Sequence, residues 1–332
     1  MIMPALLAPG GTLEMALMAV DEGADIIYVG PLGWSRRPYE SEMTDADIHA
    51  AVDYARRRER QVRVVLNTFP SPFEMDDFIR KASLYDSWGV SGFIVTDPGA
   101  IRLIRSLLPG TRIHVSVGSG VTNAWDARFY KSLGADVIIL PYRWGEMEIA
   151  AVGAVSDIGL EVFLFETVQT GKICPGKCIM SSYLKFREWL PIEGKERAFG
   201  SANRGAKECY RVCQAQWAFF SDEGRPVDLK LRPDARLMLE QLPNFVGMGV
   251  ECFKISGRER PTAMIRDLVR FYRKALDGIV DGSQPRMDVY ADELAALRAR
   301  WVAEKRKRID SLLDRADGYA EAPPGVATAE VS

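Results

Sequence analysis

The chain has 332 residues, 47% of them hydrophobic and 27% charged, with a formal net charge of −2. That balance is ordinary for a soluble globular protein, and without a basic surplus it gives no sign of a general nucleic-acid binder. No stretch approaches the roughly 20 apolar residues of a membrane helix, and the opening MIMPALLAPGG has neither the basic region nor the long apolar run of a signal peptide, so a cytoplasmic protein is expected.

The first 165 residues alternate strand and helix signals. PALLAP reads as a strand, and TLEMALMAVDEG as a helix closed by Gly23. DIIYVG is a second strand, followed by the Pro- and Arg-rich loop PLGWSRRPY. DADIHAAVDYARRR is an amphipathic helix with Asp45 or Asp47 near its start. QVRVVLNTF, GFIVTD, RIHVSVGS, DVIILP and LEVFLF are further strands. The helices MDDFIRKASLYDSWG, AIRLIRSLLPG, NAWDARFYKSLG and EMEIAAVGAVSDIG lie between them. Near-continuous apolar strands separated by amphipathic helices indicate a parallel sheet covered on both faces. ECFKIS supplies an eighth strand, with the helix-like DARLMLEQLPNFVGMG before it and the helix PTAMIRDLVRFYRKALDGIV after it.

The reading is therefore α/β, a (β/α)8 TIM-like barrel. A cysteine-rich insertion lies between strands 7 and 8, and a charged helix follows the barrel. The alternative, a doubly wound open sheet, lacks the G-x-G-x-x-G that such folds carry after a strand. The expected boundaries are a barrel over 1–282, including a cysteine-rich segment at 171–214, a charged helix over 283–318 and a disordered tail over 319–332. The helix run Lys305, Arg306, Lys307, Arg308 fits a solvated face or contact with an anionic partner.

Four of the five cysteines fall in the insertion, as two C-x-x-x-C pairs: Cys174 and Cys178, then Cys209 and Cys213. Paired thiols in a reducing compartment hold metal or do redox chemistry more often than they form disulfides. Lys172, Lys177, Arg204, Lys207 and Arg211 flank them and favour the thiolate. Four thiolates suit zinc or an iron–sulfur cluster, and spacing alone does not choose between them. Buried, unliganded cysteines are the plainer alternative. With only two histidines, His49 and His114, a histidine-rich metal site is not supported.

Barrel active sites are built from strand ends. Those ends carry Arg36 and Arg37, Asn67, His114, Asn123, Tyr142 and Arg143, Glu166, then Lys254 and Arg258. Converging arginines suit a dicarboxylate, because guanidinium binds carboxylate bidentately. Against this, Arg36 and Arg37 are also placed to pair with Glu40 or Glu42, and Asn67 to hold its own turn. Glu166 suits general acid–base work or a pairing with a mouth lysine.

Several segments together resemble peptidase family U32: LLAPGGTLE, GADIIYVG, VVLNTFP, GFIVTDPGAIRLIR, IHVSVGSGVTN, GKCIMSSY, SANRGAKECYRVCQ and GVECFKISGRER. The resemblance spans roughly residues 4 to 280. Size and layout are most similar to the UbiU/UbiV-type members that act in oxygen-independent hydroxylation. It implies a 4Fe–4S cluster and prephenate as oxygen donor, and the near-neutral charge then points to a small aromatic or isoprenoid, ubiquinone-like acceptor. The resemblance also implies a heterodimer with a second family member. The open alternatives are a non-catalytic iron–sulfur scaffold, an RNA-base hydroxylase and a zinc-stabilised peptidase. By this resemblance Cys178 and Cys209 match family cysteines best, Cys174 and Cys213 complete the set, and Cys252 is the reserve ligand. Glu166, His114 and Tyr142 are the catalytic candidates. Arg36, Arg37, Asn67, Asn123, Arg143, Lys254 and Arg258 are the substrate-binding candidates. The family pattern is departed from at Gly171, Phe165–Glu166 and Ser256, and its cysteine near Asp234 is missing.

Overall fold

A computed structural model describes residues 4–37, 39–141, 144–165, 219–227, 236–280 and 287–320. Eight parallel strands close a barrel in sequence order. They are β1 (Ala5–Gly10), β2 (Ile26–Val29), β3 (Gln61–Leu66), β4 (Gly92–Val95), β5 (Ile113–Val115), β6 (Val137–Ile139), β7 (Gly159–Phe163) and β8 (Cys252–Lys254). Closure comes from β8 pairing both β7 and β1, with Phe253 opposite Val162 and Leu6. The parallel barrel read from the apolar runs is therefore the observed fold.

The helices of the first half are α1 (Leu13–Asp21), α2 (Asp45–Arg56), α3 (Met75–Ser87), α4 (Pro98–Leu107), α5 (Ala124–Ser132) and α6 (Glu146–Ser156). Local chemistry starts and stops them where the sequence suggests. Thr44 Oγ1 accepts from Asp47 N at 3.1 Å and Asp47 Oδ2 accepts from Thr44 N at 3.3 Å, a reciprocal cap for α2. Gly23, at φ +100°, ends the α1 turn as expected.

One element is shorter than expected. The stretch after Asp234 does not form one long helix. Residues 236–239 run extended, with Leu237 bridged to Phe165, and α7 covers only Leu242–Gly247. Pro243 explains the start, since proline is tolerated in the first helical turn and breaks the interior. Two long helices follow, α8 (Thr262–Val280) and α9 (Met287–Ala320). The tail is expected over 319–332; residues 319–320 continue α9 instead, and 321–332, like 281–286, lie outside the described residues.

The core has two parts. Side chains such as Leu6, Ala8, Val64, Phe93, Val115 and Phe253 face outward and pack against the helices. Leu7, Ile26, Tyr28, Val65, Ile94, Ile139, Phe163 and Cys252 face inward and fill the barrel. The two sets alternate along each strand, as the period of two requires. No described helix is long and apolar enough to cross a membrane.

Candidate functional site

The barrel interior is not wholly apolar. Arg63 on β3, His114 on β5, Glu161 on β7 and Lys254 on β8 all project into it, none more than 5% exposed. Glu161 is the hub. Its Oε2 accepts from Arg63 Nη1 at 2.8 Å and its Oε1 from Lys254 Nζ at 2.8 Å. His114 Nδ1 sits 3.3 Å from the same Oε2. Burial works to raise the Glu161 carboxyl, but Lys254, His114 and Arg63 outweigh it and hold it below the usual carboxylate range. Burial drives the His114 imidazole down to about 4, so the ring is neutral at pH 7. One carboxylate then faces two buried cations, and the interior keeps a surplus positive charge. The Lys254 ammonium also lies 4.5 Å from the Tyr28 ring centroid, a cation–π contact.

Above this cluster, the loop after β8 splays three successive charges. Arg258 turns toward the end of β2. Its guanidinium packs on Gly30 so closely that any Cβ there would collide with Nη1. The side chain is 4% exposed, and its Nε and Nη1 find no hydrogen-bond acceptor among the described residues. Burial, then the nearby Arg37, pull this guanidinium down to about 10, still charged at neutral pH. Glu259 meets Arg37 Nε at 3.1 Å. Arg260 turns the other way and lies over Trp301 of α9, 4.2 Å from the ring centroid.

The loop after β2 is built around Glu42. Its carboxylate accepts from Gly33 N at 2.6 Å, Ser35 N at 3.0 Å and Ser35 Oγ at 2.6 Å. Burial pushes this carboxyl up to about 7, against those donors and Arg258. The loop then crosses the mouth. Arg36 N donates to Asn67 Oδ1 at 3.1 Å, and the Arg36 guanidinium reaches the loop after β5, where Nη1 would lie 3.0 Å from a Cβ on Gly118. Arg36, Arg37 and Arg258 thus gather at one end of the barrel. A buried guanidinium with unmatched donors, among other cations, suits a carboxylate or phosphate oxygen.

The expected residues divide into three groups. Arg36, Arg37, Asn67, Lys254 and Arg258 come together at the mouth or just beneath it. His114 joins Lys254 beneath the mouth through Glu161, and Asn123 does not join them. His114 lies inside the barrel with no exposed surface, and Asn123 is spent as the cap of α5, accepting from Trp125 N at 2.8 Å and Asp126 N at 3.0 Å. Tyr142, Arg143, Glu166, Cys174, Cys178, Cys209 and Cys213 lie outside the described residues. Two local pairings are corrected. Arg37 pairs with Glu259 rather than Glu40 or Glu42, because Glu42 is occupied by its own loop. Asn67 holds the neighbouring loop rather than its own turn.

Cys252 is the fully buried first residue of β8, below Lys254. Arg63 Nη1 approaches its sulfur at 3.6 Å, and burial, then Glu161, push the thiol up to about 12. A metal ligand must be a thiolate, and burial here opposes that form. No group of three or more potential ligands that could hold a metal occurs among the described residues. The four insertion cysteines remain the donor set whose chemistry fits a cluster. The sequence reading singles out none of Arg63, Glu161 and Glu259, and takes Glu42 only as a partner for Arg36 or Arg37. Arg63 and Glu161 carried a signal, being single charges within the apolar runs QVRVVL and LEVFLF.

An eight-stranded parallel barrel with buried cations at its C-terminal mouth belongs to the class whose sites are made by strand-end loops. The family model of peptidase family U32 matches residues 11–309, and the chain belongs to that family. It is 25% identical over 334 residues to tRNA hydroxylation protein P1 of Bacillus subtilis (strain 168), an alignment covering 97% of this chain and 72% of that protein. It is 26% identical over 282 residues to the 23S rRNA 5-hydroxycytidine C2501 synthase of Escherichia coli (strain K12), covering 83% of this chain and 40% of that protein. The chain thus spans well under half of the second relative. The solved structure of the U32 peptidase Mk0906 is 20% identical, with a TM-score of 0.44 over 50% of this chain and 70% of that one.

Proposed function

We propose that this chain acts in oxygen-independent hydroxylation, with a base of an RNA as the acceptor and an anionic donor such as prephenate. The observation that carries the reaction class is the likeness, over 97% of this chain, to a tRNA hydroxylation protein. The rRNA 5-hydroxycytidine synthase points to the same acceptor class. The donor reading rests on Arg258, buried beside Arg37 and with donors unmatched among the described residues. A dicarboxylate needs at least two such charges, because a single pair leaves the second carboxylate desolvated and unmatched.

In this reading Cys174, Cys178, Cys209 and Cys213 hold a 4Fe–4S cluster, which supplies electron transfer when bound. The chain's own residues do the rest. Arg258 and Arg36 or Arg37 hold the donor's carboxylates. Lys254, tied to Glu161, adds positive potential from below, and Asn67 fixes the loop that carries Arg36.

A small aromatic or isoprenoid acceptor is the second reading. It is favoured by the net charge of −2 and by the acidic first turns at the barrel mouth: Asp76 and Asp77, Asp126, Glu146 and Glu148. An acidic rim repels a phosphate backbone.

The test is anaerobic purification, assay of iron, sulfide and zinc, then incubation with prephenate and either unmodified RNA or a ubiquinone precursor. Iron with sulfide and a base carrying one added oxygen is the expected result. Hydroxylated precursor with untouched RNA selects the second reading. Iron without any product selects a scaffold subunit, and zinc instead of iron selects the hydrolase.

A further inference from the structure

Helix α9 does more than cover the barrel. Its buried residues Tyr290, Leu294, Leu297 and Trp301 face inward, and its polar side chains reach specific backbone groups. Arg298 donates through Nε and Nη2 to the Leu237 carbonyl, at 3.0 and 2.6 Å. Leu237 is bridged to Phe165, so the two ends of the excursion between β7 and β8 meet there. Trp301 packs on Phe165, with ring centroids 5.6 Å apart, and Phe165 stacks on Phe163 inside the barrel at 6.3 Å. On its other side Trp301 receives Arg260, whose Nη1 also lies 3.5 Å from the Trp301 carbonyl oxygen.

Trp301 therefore touches both structures that flank the mouth at this side. One is the base of the excursion that carries the four cysteines in the sequence. The other is the loop that carries Arg258. That loop is fixed on its inner side by backbone packing. The Arg258 carbonyl lies against Gly11, where any Cβ would collide, and Gly257 sits at φ +135°, a conformation that favours glycine. Its outer side is fixed by Arg260 on Trp301. With residue 258 turned inward and residue 260 turned outward, release of one frees the other.

We propose that Trp301 and Arg260 are positioning residues of the donor site, and that α9 is a brace tying the Arg258 loop to the base of the cysteine-bearing excursion. The donor arm of the test rests on the function proposed above, and the brace itself does not.

The test compares full-length, anaerobically prepared wild type with Trp301→Ala, Trp301→Phe and Arg260→Lys. Hydrogen exchange reads the brace without any ligand. In Trp301→Ala the amides of 257–260 and 237–239 should exchange faster, while those of β3 and β4 stay as in wild type. Prephenate titration reads the consequence. Trp301→Ala should weaken binding roughly tenfold or more, equal to about 1.4 kcal/mol. Trp301→Phe, which keeps an aromatic face for Arg260 and Phe165, should recover most of it. Arg260→Lys keeps the charge over the ring but loses the fork that reaches the carbonyl, so it should fall between the two. If Trp301→Ala does not fold, Trp301→Phe and Arg260→Lys carry the comparison. Wild-type exchange at 257–260 in every variant overturns the brace. Faster exchange with unchanged prephenate affinity overturns the positioning role. Wild-type protein that binds no prephenate overturns the donor reading and the positioning role together, and the exchange comparison then decides the brace on its own.

Discussion

Glu161 Oε1 and Lys254 Nζ lie 2.8 Å apart inside the barrel, and the other oxygen of the same carboxylate lies 2.8 Å from Arg63 Nη1. One carboxylate satisfies two cations that have almost no contact with water. Such a cluster need not stabilise the fold more than apolar side chains of equal volume, but removing its shared partner leaves buried charge uncompensated. Glu161→Gln keeps the shape and deletes the charge. It is expected to cost about 3–5 kcal/mol, the range for breaking a buried ion pair. Denaturant unfolding of the wild type and the variant measures this. A loss below about 1 kcal/mol, the scale of an exposed pair, would show that the interior is far better solvated than its burial implies.

His114 and Glu42 should pull stability in opposite directions with pH. His114 has a native value of about 4 against an ordinary 6.5, so the unfolded chain binds its proton first and stability is lost as pH falls between 6.5 and 4. Glu42 has a native value of about 7 against an ordinary 4.5. Its contribution is fully present below 4.5 and is lost as pH rises through 7. In the overlapping window, about 4.5 to 6.5, the two offset each other. Relative to wild type, His114→Gln should therefore gain stability on acidification across that window, and Glu42→Gln should lose it. Each effect is about 3 kcal/mol at most, from 1.36 kcal/mol per unit. Urea midpoints at a series of pH values give the two difference curves, and parallel curves for all three proteins would refute the assignment.

The barrel was legible because its strands are short apolar runs at regular spacing, a pattern that only a sheet covered on both faces needs. The arginine-bearing loops after β2 and β8 were also legible, since strand ends in such a fold point to one mouth. The interior cluster was not. Arg63 and Glu161 are 98 residues apart, and a lone charge in each apolar run marks a position without naming its partner. Only closure of the barrel turns both side chains inward. Arg37 was paired with its sequence neighbours for the same reason, since Glu259 becomes adjacent only when β8 closes on β1. The α7 start was misplaced because helix-forming residues before Pro243 outweighed the proline that sets it.

The cysteines make a sharper test than the fold. Cys174→Ala, Cys178→Ala, Cys209→Ala and Cys213→Ala are each expected to lose iron and brown colour. Cys252→Ala should keep both, since burial, then Glu161, hold its thiol protonated against the nearby Arg63. Iron and sulfide assays with absorption spectra under anaerobic conditions check this. Bleaching by Cys252→Ala with retention by Cys174→Ala would reverse the assignment. Hydrogen exchange adds a second reading, because metal ligation contributes ordering energy. Protection across 171–214 should rise on cluster loading, while β1–β7 should be protected in both forms.

Arg258 carries the donor prediction. Its Nε and Nη1 are buried without an acceptor among the described residues, which is costly unless another oxygen, such as a ligand's, supplies one. Lysine keeps a charge at this position but loses the planar fork and reaches less far over Tyr28 and Gly30. Arg258→Lys is expected to weaken prephenate binding by about 1–3 kcal/mol, the usual loss for a charged hydrogen bond, with the cluster spectrum unchanged. The pH dependence gives an independent sign. Glu42 lies close enough to act on the Arg258 charge, and Glu42 ionises near pH 7. As pH rises through that value, a new negative charge competes with the donor's carboxylate for Arg258, so wild-type affinity should fall. Arg37 and Glu259 face the same guanidinium but pair with each other, and Tyr28, pushed above its ordinary range by burial, stays neutral there. Glu42→Gln keeps one of the two acceptor oxygens, enough for the Ser35 donors, gives up the acceptor for Gly33 N and removes the charge, so its affinity should stay level from pH 6 to 8, the window about the value of 7. Calorimetric titration of prephenate across that range decides. A wild-type affinity that rises with pH, or one unmoved by Arg258→Lys, would place the donor elsewhere in the mouth.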